Sequence, residues 1–181
     1  MSRYELFHPD TEIIGQAILD FGEAVGSEQF QVFFERNGLV DIQPDRWYPA
    51  QKWLDVLNDI ADTGSAMFDF VSIGIRQLEL AVIPPEFDAM PLIDILKNLE
   101  EAYRLNYRGA DIGSITVELV DDKHVKVIIR SFEPDHLWYG NLHGLMRRFA
   151  PKGLDYTITY DSDVPRREEG GDVTIIHVKW K

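Results

Sequence analysis

The sequence predicts an α+β fold, in which an N-terminal helical part is followed by an antiparallel sheet of about four strands with one inserted helix. Three observations support this prediction. Apolar residues recur every three or four positions through the first 108 residues, which is the spacing of amphipathic helices. From Gly109 onwards they alternate with polar residues, as in half-buried strands. A later helical pattern separates two pairs of alternating segments, and this block-wise order is typical of α+β domains.

The helical part begins with three amphipathic segments. Thr11 and Ser27 are candidate N-caps for the first two helices, because a hydroxyl oxygen can accept a hydrogen bond from a free backbone N–H at a helix start. The second helix is expected to end at Gly38, and the third to run from Pro49 to Gly64.

Two further helices are expected before the sheet. Residues 67–80 are apolar on nearly all sides, which predicts a buried helix. The Pro84–Pro85 pair ends it, because proline cannot continue a helix. A fifth helix is expected to start at Pro91 and to continue to Arg108.

The sheet-rich part has a simple predicted order. Residues 115–119 and 125–129 alternate in polarity around an Asp-Asp-Lys turn and predict a β-hairpin. A helix is expected over residues 138–150. Two more strands are expected over residues 154–160 and 173–180.

The length of 181 residues suits a single domain spanning residues 1–181. Within it, residues 1–108 would form the helical part and residues 109–181 the sheet-rich part. The chain has no cysteine, which excludes disulfides, thiolate metal sites and thiol nucleophiles. No segment resembles a signal peptide or a membrane span, and a cytoplasmic location is expected.

The charge of the chain is strongly negative and unevenly distributed. It holds 31 acidic and 18 basic residues, for a net charge of −13, and the first 100 residues carry 18 acids against 6 bases. Nucleic acid and anionic membranes would repel such a chain, so neither is an expected partner.

Recognised catalytic motifs are missing from the sequence, and the protein is predicted not to be an enzyme. His136 and His143 are two helical turns apart, yet no third metal ligand is evident. Asp55, Asp59 and Asp62 share a helix face that is more typical of a solvated surface than of a cation site. No metal is therefore expected.

Six segments, in this order and spacing, carry a family resemblance: IIGQAILDFGEAVGSEQFQVFFERNGL, YPAQKWLDVLNDIADTG, FVSIGIRQLE, LIDILKNLEEAYRLNYRG, YGNLHGLMRRFAP and VTIIHVKW. Together they resemble the haem-nitric-oxide/oxygen binding (H-NOX) domain, whose wider superfamily includes 4-vinyl-reductase-type domains and the TRAPP transport-particle subunits. The resemblance implies an H-NOX-like fold over most of the chain.

The sequence departs from this family at the haem-binding residues. Tyr103 falls where the family has its axial histidine, so it is either an unusual haem ligand or a core aromatic residue. Ser131, Glu133 and Asp135 fall where the family's Tyr-x-Ser-x-Arg motif binds the haem propionates, and two carboxylates there would repel them. Ile112–Gly113 replaces the family's proline. The resemblance therefore implies a relative that has lost haem.

By this resemblance, the protein is expected to be a sensory or regulatory signalling module that binds a small apolar ligand, a protein partner or a second copy of itself. The alternative is a haem-based gas sensor that uses Tyr103 as axial ligand, and a tetrapyrrole-processing enzyme is a third hypothesis. No cofactor is expected, and haem is the one cofactor whose binding should be tested. The expected pocket residues are Phe70, Ile73, Gly74, Leu99, Tyr103 and Trp138; they would equally suit a filled core.

Overall fold

The computed structural model describes residues 3–64 and 69–181, without the side chains of residues 27–30. The helices are α1 (Gly15–Val25), α2 (Ser27–Arg36), α3 (Ala50–Asp62), α4 (Phe70–Leu80), α5 (Leu92–Lys97), α6 (Leu99–Asn106) and α7 (Asp135–Phe149). The strands are β1 (Glu12–Ile14), β2 (Trp47–Pro49), β3 (Tyr107–Arg108), β4 (Ser114–Asp121), β5 (His124–Arg130), β6 (Tyr156–Tyr160) and β7 (Thr174–Trp180).

The predicted α+β fold is confirmed. Strands β4 to β7 form one antiparallel sheet in the order β4-β5-β7-β6, and α7 is the inserted helix between β5 and β6. Along β5, Val125, Val127 and Ile129 are buried, whereas His124 and Lys126 lie on the other face. This alternation is the period-two pattern that the sequence displays, and it turns one face of the sheet towards the core.

A second, smaller sheet lies within the part predicted to be wholly helical, so that prediction was wrong in detail. Strand β1 pairs with both β2 and β3. Thr11 is not an N-cap, because the helix begins only at Gly15 and the Thr11 hydroxyl donates instead to the His8 carbonyl oxygen at 2.9 Å. Ile13 and Ile14 are extended because segments more than 30 residues away along the chain supply their backbone partners.

Helix α4 is buried on one face, not on nearly all sides as predicted. Asp69 caps its start by accepting from the backbone N–H groups of Val71 and Ser72. Gly74 packs directly on α7, where a Cβ atom would overlap the carbonyl oxygen of Leu137. The opposite side of the helix is open to solvent. Residues 67 and 68 of the predicted helix lie outside the described part of the chain. The prediction of Ser27 as an N-cap was wrong, because Ser27 is the first residue of α2 and the N-cap position is Gly26.

The fifth predicted helix is divided into α5 and α6 at Asn98, whose side-chain amide donates to the Asp94 carbonyl oxygen at 2.7 Å. Helix α7 begins at Asp135, three residues earlier than predicted, directly after Pro134. Helix α4 packs on α7 and α1, whereas α6 packs on β4 and on β1 and β3 of the small sheet. In the described residues, no helix is long and apolar enough to cross a membrane.

Candidate ligand cavity

A cavity of about 600 Å³ opens between α4, α6, α7 and the segment that joins α4 to α5. Its walls are mostly apolar and aromatic. Val82 and Leu105 belong to its lining and are also exposed to solvent, so the cavity reaches the surface through an apolar rim. A concave apolar site of this volume is typical of small-molecule binding.

The residues expected to form a pocket fall into two groups. Leu99, Tyr103 and Trp138 line the cavity. Phe70 and Ile73 are buried but are not part of its lining. Gly74 is at the contact between α4 and α7, where it allows the two helices to approach closely.

Tyr103, the candidate axial position, uses its hydroxyl within the protein. The phenol donates to the carbonyl oxygen of Ile112 at 2.5 Å, and the hydroxyl of Ser131 lies 3.5 Å away. Burial raises the pKa of Tyr103 well above its ordinary value, and the nearby Glu133 carboxylate adds to that effect. The side chain is therefore a neutral phenol at physiological pH.

Glu133 is a half-buried acid in the cavity lining. Tyr107 donates its phenolic hydrogen to Glu133 Oε1 at 2.7 Å, and Ser131 Oγ lies 3.5 Å from Oε2. Burial raises the pKa of Glu133 to about 7, although the neighbouring donors Tyr107, Trp53, Ser131 and Trp138 act in the opposite direction. Its charge therefore changes within the physiological pH range.

Asp135 has a structural role away from the cavity. It is buried, and it accepts from Thr174 Oγ1 at 2.5 Å and from the backbone N–H of Glu168 at 3.2 Å. Its own backbone N–H donates to Glu168 Oε1 at 2.7 Å, which ties the start of α7 to the turn before β7. Of the three residues at the motif positions, Glu133 alone belongs to the cavity lining among the described residues.

Four buried polar atoms in the cavity lining have no hydrogen-bond partner: Trp53 Nε1, Trp138 Nε1, Gln77 Oε1 and Asn141 Oδ1. Both indoles are near enough to lower the pKa of Glu133, yet neither N–H has the geometry of a hydrogen bond to its carboxylate. Unpartnered buried groups are rare in proteins, and each one costs about 1–3 kcal/mol. Their grouping around one cavity indicates groups available to a ligand.

The charges in the cavity lining are all negative. Asp20, Glu101 and Glu133 belong to it, and among the described lining residues there is no lysine, arginine or histidine. Glu133 also has no ion-pair partner in the described part of the chain. The cavity therefore lacks the positive side chains that would bind an anion.

The other candidate ligands do not form a metal site. His136 packs edge-on against Tyr160, whereas His143 packs against Tyr139. Asp55 accepts a hydrogen bond from Gln51. Across residues 3–64 and 69–181 there is no group of three or more histidine, aspartate or glutamate side chains placed to hold a metal ion.

Sequence reasoning missed a hydrogen-bonded chain of side chains on the outer face of the large sheet. His124 Nε2 lies 2.8 Å from His177 Nδ1, and His177 Nε2 lies 2.9 Å from Asp161 Oδ2. The three residues come from β5, from β7 and from the position directly after β6. They meet only because β5 and β6 both pair with β7.

Neither a protein-family model nor a curated protein matches this chain. Solved structures do match it across almost its whole length. An H-NOX protein from S. oneidensis in the Fe(II)NO ligation state aligns with a TM-score of 0.71 and 14% identity, covering 93% of this chain and 99% of that one. A single-residue variant of Tt H-NOX aligns with a TM-score of 0.68 and 13% identity, covering 93% and 95%.

An H-NOX protein from K. algicida, a mutant in the Fe(II) unliganded state, gives the same result. Its TM-score is 0.67 at 15% identity, covering 93% of this chain and 97% of that one. The chain therefore has the H-NOX fold. Identities this low establish the fold, and the chemistry of the cavity has to be argued from this chain's own residues.

Proposed function

We propose that residues 1–181 act as one non-enzymatic sensory module, in which the cavity binds a small organic ligand in place of haem. The observation that carries this proposal is the cavity of about 600 Å³ whose lining includes four buried polar atoms without partners. A filled core would have excluded that volume, and a purely structural cavity would have no reason to collect unpaired donors and acceptors.

The donor set of the cavity does not fit haem. Tyr103 keeps its proton and donates it in a hydrogen bond to Ile112, so it is not available as a tyrosinate ligand. The cavity lining, within the residues described, offers no histidine for the iron and no cation for two propionates. Three carboxylates there would repel the propionates instead.

The packing of α4 on α7 would couple ligand binding in the cavity to a movement of both helices. Gln77 and Leu78 of α4 and Trp138, Asn141 and Leu145 of α7 all line the cavity. The two helices are in close contact, so a ligand that moves either helix must also move the other. We expect a protein partner, or a second copy of the chain, to recognise the changed position of these helices.

Absorbance and mass spectrometry of the purified protein test the proposal together. We expect no Soret band, even after incubation with haemin and gel filtration, and a small organic molecule released on denaturation or displaced by added probes. A Soret band that disappears in Tyr103→Phe would overturn the proposal and establish the haem-sensor alternative. The matched control is Tyr156→Phe, which changes a tyrosine of β6 outside the cavity lining.

A further inference from the structure

We propose that the ligand is an organic monocation, with an ammonium group bound by Glu133 among aromatic side chains and an apolar body that fills the outer part of the cavity. This inference rests on the proposed function, because it names the chemical class of ligand for the same site.

Aromatic residues surround the carboxylate of Glu133. Tyr107 contacts it directly at 2.7 Å. The Tyr103 ring centroid lies 4.9 Å from that of Tyr107 and 5.8 Å from that of Trp138. Trp53 completes the group as a neighbour of Glu133 in the same lining. Electron-rich rings grouped around a carboxylate are suited to an ammonium ion, which gains from both.

The charge of the site selects for a cation. A half-buried carboxylate without a counter-ion is unfavourable, and a bound ammonium would supply that counter-ion. The nearest arginines are used elsewhere: Arg130 makes a bidentate pair with Asp111 at 2.7 and 2.8 Å, and Arg167 lies over the Phe7 ring. Both arginines are close enough to Tyr103 to lower its pKa, but neither belongs to the cavity lining.

The unpartnered oxygens fit the N–H groups of such a ligand. Gln77 Oε1 and Asn141 Oδ1 are buried acceptors in the same lining, and an ammonium carries up to three donors. Both oxygens belong to the same lining as the Glu133 carboxylate, so the cavity offers acceptors for the N–H groups of the ligand. Towards the mouth, Val82 and Leu105 offer apolar surface to the body of the ligand.

The electrostatic field outside the cavity acts in the same direction. Asp20 and Glu101 belong to the lining together with Glu133, and the first 100 residues carry three times as many acids as bases. A negatively charged cleft raises the local concentration of cations and repels anions.

Calorimetric titration of the full chain at pH 8 with three probes of equal length tests this inference. The probes are hexylammonium, 1-hexanol and hexanoate, which carry a positive, zero and negative charge. We expect hexylammonium to bind at least about tenfold more tightly than hexanol, and hexanoate not to bind. Glu133→Gln should remove this preference for the amine while hexanol affinity stays unchanged. Glu23→Gln, which changes an exposed glutamate of α1, is the matched control.

A second measurement needs no variant. Because the pKa of Glu133 is about 7, an ammonium that binds the carboxylate should release a proton from it at pH 6.5 and none at pH 8.5. Titrations in buffers of different ionisation enthalpy measure that proton directly. Hexanol should release no proton at either pH.

The outcomes separate the inference from the proposed function. Equal binding of hexanol and hexylammonium, or stronger binding of hexanoate, would overturn the cation proposal and leave a ligand-binding cavity in place. Full amine affinity in Glu133→Gln would overturn it as well. If no probe binds and tryptophan fluorescence stays constant, the cavity is not a binding site and both proposals fail.

Discussion

Tyr107 donates its phenolic hydrogen to Glu133 across 2.7 Å inside the cavity, and it joins strand β3 of the small sheet to the segment that precedes α7. The bond links an acid whose pKa is raised by burial to a phenol whose pKa is also raised, with the proton held on the phenol. This pair connects the small sheet to the segment before α7, and both residues line the proposed ligand site.

The raised pKa of Glu133 predicts a pH-dependent stability. Between its ordinary pKa of 4.5 and the folded value of about 7, the native protein binds more protons than the unfolded chain. The free energy of unfolding should therefore fall as pH rises through this window, by up to about 3 kcal/mol from this group alone. By about pH 8, one unit above the folded pKa, the loss should be nearly complete.

Urea unfolding of ligand-free wild-type protein, Glu133→Gln and the control Glu23→Gln at pH 5, 6, 7 and 8 checks this prediction. The glutamine variant should gain stability relative to wild type as pH rises, because it cannot ionise. Glu23→Gln should follow the wild type. Parallel curves for wild type and Glu133→Gln would contradict the assignment.

Removing the Tyr107 hydroxyl should raise the pKa of Glu133 further. In Tyr107→Phe the carboxylate loses its closest donor, so its ionised form becomes less favourable. The pH midpoint of hexylammonium binding should then move upwards from about 7. Tyr156→Phe should leave the midpoint in place, and an unchanged midpoint in Tyr107→Phe would show that the bond does not control the titration.

The close contact between α4 and α7 should not tolerate a side chain at Gly74. A Cβ atom there would overlap the Leu137 carbonyl oxygen and lie 2.8 Å from the Asn141 backbone nitrogen. We expect Gly74→Ala to lower the free energy of unfolding by about 1–3 kcal/mol, because backbone atoms cannot move aside cheaply.

Arg76→Ala provides the control for that substitution, because Arg76 is exposed on the same helix. Its effect should remain within about 0.5 kcal/mol. Thermal and urea unfolding of both variants measure the difference. Equal stability of Gly74→Ala and wild type would mean that the helices are less tightly packed than the structure indicates.

The side chain of Gln77 should increase ligand affinity and lower the stability of the ligand-free protein. Its Oε1 atom is buried without a partner, so Gln77→Leu removes an unpaired acceptor from the ligand-free protein. The free energy of unfolding should stay constant or rise by up to about 1 kcal/mol. Hexylammonium affinity should fall at the same time. A clear loss of stability would indicate that the oxygen has a partner in solution.

Periodicity alone was enough to predict the fold class, because the large sheet and the helices each bury one continuous face. It was not enough for β1 and β3, which have three and two residues. Such short segments carry no readable period, and pairing between distant parts of the chain makes them strands. The burial of α4 was overestimated because an apolar sequence does not reveal how many neighbours a helix has.

The candidate site was only partly accessible from the sequence. The family resemblance predicts Leu99, Tyr103 and Trp138 as pocket residues. It also places Glu133 at a position where a carboxylate would repel the haem propionates. The bond of Glu133 to Tyr107 spans 26 residues and depends on the meeting of β3 with the segment before α7. The free oxygens of Gln77 and Asn141 could not be foreseen, since lacking a partner is a property of the folded arrangement.

A comparison of hexylammonium and hexanoate binding to the wild-type protein tests the central claim most directly. Both are measured by calorimetry at pH 8, where Glu133 is ionised. The account predicts measurable binding of the amine and none of the acid. Binding of hexanoate as tightly as the amine, or more tightly, would contradict it.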